Sequence, residues 1–128
     1  MANVCRRLLA FDCDGTIRLG GGPIKVELLE KLQAKGDDEV VIVSNSLSCW
    51  LMWEKNGGKF AAIPEGPLTR KKALQKAKWK YRDCRKFIYV SDNVPENKYF
   101  SDQFPDVDDR RNAHEAGFKF LLPKQFKG

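Results

Sequence analysis

The chain has 128 residues, 42% of them hydrophobic, and a net charge of +6, and this length suits one compact domain over residues 1–128. No run of about 18 apolar residues occurs, so no membrane span is predicted, and the N-terminal stretch lacks the length and cleavage site of a signal peptide. The single histidine, His114, excludes mechanisms that need several histidines. We expect reduced thiols in a cytoplasmic protein, because neither a C-x-x-C pair nor a zinc-ligand spacing occurs among the four cysteines, Cys5, Cys13, Cys49 and Cys84.

An apolar run predicts a buried first strand at about residues 6–11, and this strand leads directly into two carboxylates. Alternation along the extended chain would point Asp12 and Asp14 to the same side. Like charges held so close repel each other, so we expect a divalent cation or a shared proton to compensate them.

Three successive glycines predict a flap or tight hairpin at residues 17–23. The first helix should then run from residue 23 or 24 to residue 35, with Pro23 in its first turn and Gly36 as its C-terminal cap. The spacing of its apolar residues predicts a buried stripe formed by Ile24, Leu28 and Leu32.

The second strand is predicted at residues 39–43, where a β-branched run is typical of a strand buried on both faces. It ends in Ser44 and Asn45. A helix at about residues 47–55 and a short strand near residues 60–63 should follow.

A strongly basic helix is predicted at residues 69–81, with Thr69 as its N-cap and a buried side formed by Leu74, Ala77 and Tyr81. Residues 69–86 contain nine basic residues and one acid, a net charge of +8. Such a face could attract nucleic acid, but a solvated helix face is the favoured interpretation.

The last part of the chain continues the alternation of strands and helices. A strand at residues 87–90 ends in Ser91 and Asp92, and a long loop at residues 94–108 follows. A short helix at residues 109–115, ended by Gly117, and a last strand at 118–122 complete the chain. This order predicts an α/β fold with a parallel, helix-covered sheet.

The carboxyl ends of parallel strands lie at one edge of the sheet, so the polar residues that follow the three long strands should meet there. These residues supply carboxylates, a hydroxyl and an amide, and the basic helix begins close to the same edge with Lys71 and Lys72. Carboxylates suit a hard cation, and a lysine with helix N-termini suits an anion. The pattern therefore predicts a phosphate site with Mg²⁺.

These residues resemble the motifs of the haloacid dehalogenase (HAD) superfamily, in its phosphatase form. Phe11-Asp12-Cys13-Asp14-Gly15-Thr16 looks like the first motif, and Val43-Ser44-Asn45 is similar to the second. Lys71 or Lys72 is the candidate for the third, with Lys72 preferred. Tyr89-Val90-Ser91-Asp92 resembles the fourth, although Ser91 stands where glycine is usual.

The resemblance implies a three-layer Rossmann-like domain with a mostly parallel central sheet. It also implies a phosphatase in which Asp12 is the nucleophile and Asp14 the general acid and base. Mg²⁺ would be held by Asp12, Asp14 and Asp92, with a further acid from Asp109 or Glu96. The implied phosphate-binding residues are Gly15, Thr16, Ser44, Asn45, Lys71 and Lys72, with Ser44 and Lys72 acting in catalysis.

The intervals between the motifs leave no room for a cap domain, so we expect an open site. Such a site would admit a phosphorylated metabolite, a nucleic-acid end or a phosphoprotein, and a neighbouring subunit of an oligomer could cover it. Two other functions fit the same motifs. One is a phosphoacceptor switch domain, and the other is a binding module that keeps the fold without the chemistry.

Overall fold

A computed structural model describes residues 5–12, 16–17, 22–43, 59–60, 70–92, 94 and 108–128. Strands and helices alternate along this part of the chain. The strands are β1 (Arg7–Phe11), β2 (Asp38–Ile42), β3 (Lys59–Phe60), β4 (Lys86–Val90) and β5 (Lys119–Leu121). The helices are α1 (Val26–Lys35), α2 (Arg70–Lys80), α3 (Asp109–Ala116) and a short 3₁₀ helix (Pro123–Gln125). Within these residues, no helix is both long enough and apolar enough to cross a membrane.

In the described part of the chain the strands form one sheet in the order β3-β2-β1-β4-β5, and every pair is parallel. The first strand lies in the middle, where Phe11 is in register with Ile42 on β2 and with Val90 on β4. The predicted α/β fold with a parallel sheet is confirmed. The predicted helix at residues 47–55, the N-cap Thr69 and most of the loop at 94–108 lie outside the described residues.

The apolar run of β1 is buried on both sides, which explains its lack of polar alternation. Leu8 belongs to a core cluster that includes Leu74 of α2. Leu9 belongs to a second cluster that includes Leu29 of α1. Because neighbouring residues of a strand point to opposite faces, the two clusters lie on opposite faces of the sheet. Close packing on both faces makes the centre of the sheet rigid, and the residues at the strand ends are positioned by it.

The first helix begins later than the sequence predicted. Ile24 is still extended, because it forms a bridge with Ile17 and its backbone N–H donates to the Thr16 carbonyl at 3.1 Å. The prediction that Pro23 lies in the first turn is therefore wrong. Leu29, rather than the predicted Leu28, is buried together with Leu32. The predicted cap is confirmed, since Gly36 has φ 79° and its N–H donates to the Gln33 carbonyl.

Cys5 and Cys84 form a disulfide, so the prediction of reduced thiols is wrong for this pair. Cys5 precedes β1 and Cys84 precedes β4, and these strands are neighbours in the sheet. A backbone hydrogen bond from the Arg85 N–H to the Cys5 carbonyl holds the two segments together. The Cα atoms of Cys5 and Cys84 are 4.3 Å apart. The bond therefore links the starts of two central strands. Cys13 and Cys49 lie outside the described residues.

At the same end of the sheet, the buried carboxylate of Asp38 binds two arginines. Arg7 donates to it through Nη2 at 2.7 Å and Nε at 3.2 Å, and Arg6 through Nη2 at 3.2 Å and Nε at 3.3 Å. Burial alone would raise the pKa of Asp38, but the hydrogen bonds and charges of Arg7 and Arg6 outweigh it and hold that pKa below its usual value. The ionised form therefore stabilises the fold.

We expect Asp38→Asn to lower the free energy of unfolding at pH 7 by about 1–3 kcal/mol, because two charge-assisted pairs are lost. The folded-state pKa of Asp38 is lowered, so its stabilisation is complete above the unfolded pKa of about 3.9 and disappears as pH falls through the folded value. Urea unfolding at pH 7 and in steps below pH 4 should show the difference between wild type and variant shrinking. The exposed neighbour Asp37, changed to Asn, is the control. A difference that grows on acidification would contradict this role.

Candidate active site

The order in which the chain adds strands to the sheet reverses at β1. The chain leaves β1 towards β2 and later returns to β4 on the other side of β1. Asp12 directly follows β1, and its backbone N–H donates to the Val90 carbonyl at 3.0 Å. Ser91 and Asp92 directly follow β4. The structure therefore brings Asp12 and Asp92 to the sheet edge where the sequence predicted them. Open parallel sheets bind their ligands at the point where the strand order reverses, which is this edge.

An arginine that the sequence analysis did not single out lies at the centre of this edge. Arg70 is the first residue of α2, and only 5% of its surface is exposed. Its Nη1 atom lies 3.0 Å from each of three oxygens, which are Asp12 Oδ1, Asp109 Oδ2 and the Tyr89 hydroxyl. One guanidinium therefore contacts two buried carboxylates that come from separate parts of the chain.

Asp109 is fully buried and binds its neighbours through both carboxylate oxygens. Its Oδ2 accepts from Ser91 Oγ at 2.8 Å and from the Tyr89 hydroxyl at 3.2 Å, in addition to Arg70. Its Oδ1 accepts from the Asn112 side-chain amide at 3.1 Å. Asp109 thus fixes the position of Arg70. Its predicted part in metal binding remains a prediction.

Asp108, and not Asp109, is the N-cap of α3. The Asp108 side chain accepts hydrogen bonds from the backbone N–H groups of Arg110 and Arg111. This arrangement leaves Asp109 as the first helical residue, with its side chain inside the molecule. The predicted C-terminal cap at Gly117 is confirmed, with φ 84°.

Burial and the two carboxylates set the protonation states of this cluster. Burial alone would lower the pKa of Arg70, but Tyr89, Asp12 and Asp109 raise it well above its usual value, so the guanidinium stays charged. Burial raises the pKa of Tyr89 well above its usual value, with Asp109 and Asp12 adding to burial and Arg70 opposing it. The Tyr89 hydroxyl therefore keeps its proton and donates a hydrogen bond to Asp109.

Two hydroxyl groups connect the polar residues after β1 with those after β4. Thr16 is fully buried, and its Oγ1 accepts from the Asp92 backbone N–H at 3.2 Å and lies 3.4 Å from Asp92 Oδ1. Ser91 Oγ lies 3.5 Å from Asp12 Oδ2. The serine that departs from the usual glycine thus lies between Asp12 and Asp109. Thr16, predicted to bind phosphate, lies against Asp92.

The predicted lysines lie apart from this cluster. Lys71 Nζ is 3.8 Å from Glu115 Oε1, and Lys72 is exposed. Within the described residues of α2, the side chain that contacts Asp12 is Arg70. The predicted role of Lys71 or Lys72 in phosphate binding, with Lys72 preferred, remains a prediction. The other predicted site residues, Asp14, Gly15, Ser44, Asn45 and Glu96, lie outside the described residues.

The described part of the chain contains no group of three or more histidine, cysteine, aspartate or glutamate side chains placed to hold a metal ion. Asp12 and Asp92 supply carboxylates from neighbouring strands, and oxygen is the donor that Mg²⁺ prefers. The third predicted ligand, Asp14, is outside the described residues. In their chemistry, the two described donors fit Mg²⁺.

No family model, curated protein or solved structure matches the chain. The resemblance to the HAD superfamily therefore depends on the motifs and on the geometry of this sheet edge.

Proposed function

We propose that the chain is a Mg²⁺-dependent phosphomonoester hydrolase of the HAD type, with Asp12 as the nucleophile. One observation carries the proposal. Asp12 lies at the point where the parallel sheet reverses its order, and a buried cation, Arg70, contacts its Oδ1 at 3.0 Å. A carboxylate oriented by a cation in this way is suited to attack phosphorus.

In the proposed reaction a carboxylate oxygen of Asp12 bonds to phosphorus while the bond from phosphorus to the ester oxygen breaks. Asp14 gives a proton to that leaving oxygen. Asp14 then takes a proton from water as the water oxygen attacks phosphorus, which releases inorganic phosphate and restores Asp12. Asp12, Asp92 and the backbone carbonyl of Asp14 would hold Mg²⁺, which when bound supplies positive charge beside the phosphoryl oxygens.

Arg70 has two parts in this proposal. Its contacts with Asp12 and Asp109, at 3.0 Å each, fix the direction of the nucleophile. A guanidinium also matches the geometry of phosphate oxygens, so Arg70 could contact a transferring phosphoryl group. It would thereby take the part that the resemblance assigned to Lys71 or Lys72.

We further propose the three-layer Rossmann-like arrangement without a cap, which the two core clusters on opposite faces of the sheet support. The substrate class remains a phosphorylated metabolite, a nucleic-acid end or a phosphoprotein, and an oligomer could cover the site. A cytoplasmic location remains a prediction, with less support than before because Cys5 and Cys84 are bonded.

Each of the two other functions gains support from one observation. Only 3% of the Asp12 surface is exposed, which would protect a phosphoryl group on a phosphoacceptor switch from water. Arg70 already compensates the charges of Asp12 and Asp109, as a binding module without catalysis would require.

One experiment separates the three functions. The purified chain is mixed with an aryl phosphate in Mg²⁺ or in EDTA, and both released phosphate and covalently bound phosphate are measured over time. The proposed hydrolase releases many phosphates per chain, only with Mg²⁺, through a short-lived phospho-form. Retention of one phosphate per chain would identify the switch instead. If neither release nor labelling occurs with aryl phosphates, phosphorylated metabolites or phosphorylated oligonucleotides, the proposal is wrong.

A further inference from the structure

The surface of α2 carries an exposed tryptophan far from the candidate active site. Trp79 is 70% exposed, and among the described residues it is the large hydrophobic side chain left open to solvent. It lies near the C-terminal end of the helix, while Arg70 lies at the N-terminal end. The exposed Trp79 indole therefore offers a flat apolar face that a ligand can cover.

One cation lies against this indole. The guanidinium of Arg82 lies 4.5 Å from the centre of the Trp79 ring. A cavity of about 230 Å³ lies beside the ring, lined by Gln75, Lys78, Trp79, Arg82 and Ala116. The site therefore combines a flat aromatic face, a cavity and positive charge.

The same helix face continues towards the candidate active site as a basic track. Lys72 and Lys76 are exposed and lie seven and three residues before Trp79, spacings that place all three on one side of a helix. From Lys72 to Trp79 the track is about 10 Å long, at 1.5 Å per residue. Residues 69–86 have a net charge of +8, so this track is complementary to a chain of phosphates.

We propose that this face of α2 binds single-stranded nucleic acid, with a base stacked on Trp79 and phosphates on Lys72, Lys76 and Arg82. Stacking on an exposed indole requires an unpaired base, which a duplex does not offer along its length. A peptide of aspartates and glutamates would use the positive charges but would bring no flat ring to the exposed indole. The nucleic acid therefore accounts for both features, and its binding does not depend on the proposed hydrolysis.

The test is the anisotropy of a fluorescent oligothymidylate titrated with the chain in EDTA, where Mg²⁺-dependent hydrolysis cannot contribute. Trp79→Ala should weaken binding about tenfold, and Trp79→Phe should retain most of the affinity. Since Trp79 is exposed, both variants should keep the wild-type circular dichroism and Tm, which are recorded alongside. Equal affinity of wild type and Trp79→Ala would overturn the proposal.

The charge contribution is tested by salt titration. Lys72→Ala/Lys76→Ala should reduce the slope of log K against log salt concentration by about 1.4, since each contact with a single strand accounts for about 0.7. Lys31→Ala/Lys35→Ala on α1 removes two other exposed lysines and should leave the slope unchanged. The proposal is overturned if the control pair has the same effect, if duplex DNA binds as tightly as the single strand, or if polyglutamate competes as well as the oligonucleotide.

Discussion

Replacing Arg70 by methionine is expected to lower the free energy of unfolding by about 3–5 kcal/mol. The side chain is buried, and its Nη1 contacts Asp12 and Asp109, which are buried as well. Without it, two buried carboxylates would remain close together with no guanidinium to pair with them, which is costly inside a protein. Urea denaturation at pH 7 measures the change.

Lys72→Met is the matched control, because it makes the same kind of change two residues later on the exposed face of α2. It should alter the free energy of unfolding by no more than about 0.5 kcal/mol. In the double variant Arg70→Met/Asp109→Asn, part of the lost stability should return, since one of the two charges is removed with the cation. If Arg70→Met is as stable as Lys72→Met, the buried ion pairs do not contribute as argued.

Asp12→Asn is expected to reduce Mg²⁺-dependent turnover of an aryl phosphate by at least about a thousandfold, if the proposed hydrolase is correct. An amide is a poor nucleophile, so no acyl phosphate forms and the second step has no intermediate to hydrolyse. The side-chain carbonyl of asparagine can still accept from Arg70, and Asp109 still pairs with that guanidinium. The variant should therefore fold.

Asp37→Asn provides the comparison, because it makes the same chemical change at an exposed position and should retain full turnover. Phosphate release and covalent labelling are followed for both variants, with the Tm of each measured to confirm folding. Wild-type turnover by Asp12→Asn would remove Asp12 from the role of nucleophile. Loss of turnover together with a large drop in Tm would point to a structural role for Asp12 instead.

The sequence allowed the sheet edge to be predicted because that part of the fold depends on local patterns. The apolar run before Asp12 and the β-branched run before Ser44 predict buried parallel strands, and the alternation with helices predicts that their ends meet. The positions of Asp12 and Asp92 follow from these features. Their prediction needed no knowledge of which strands are neighbours.

The identity of the basic residue beside Asp12 was missed for a reason that the sequence itself could have revealed. The predicted buried stripe of α2 contains Leu74 and Ala77, and one further step of four residues back from Leu74 reaches Arg70, not Lys71 or Lys72. The resemblance to the third motif favours a lysine, whereas the helix phase favours Arg70. Asp109 could not be placed in the same way, because its contact with Arg70 joins segments 39 residues apart.

The disulfide is a second contact between distant parts of the chain that the sequence did not predict. Cys5 and Cys84 each precede a strand, but only the order of the strands makes them neighbours, and no local pattern contains that order. Thiol chemistry inferred from spacing alone was therefore wrong for this pair.

The bond between Cys5 and Cys84 closes a ring of the chain whose two ends are 79 positions apart in sequence. Asp12 and Arg70 both lie within this ring, whereas Tyr89, Ser91 and Asp109 follow it. A protease that cut one peptide bond anywhere inside the ring would leave two fragments still joined by sulfur. If the cut lay between Asp12 and Arg70, the proposed nucleophile and its arginine would remain parts of one covalent molecule and would separate only after reduction.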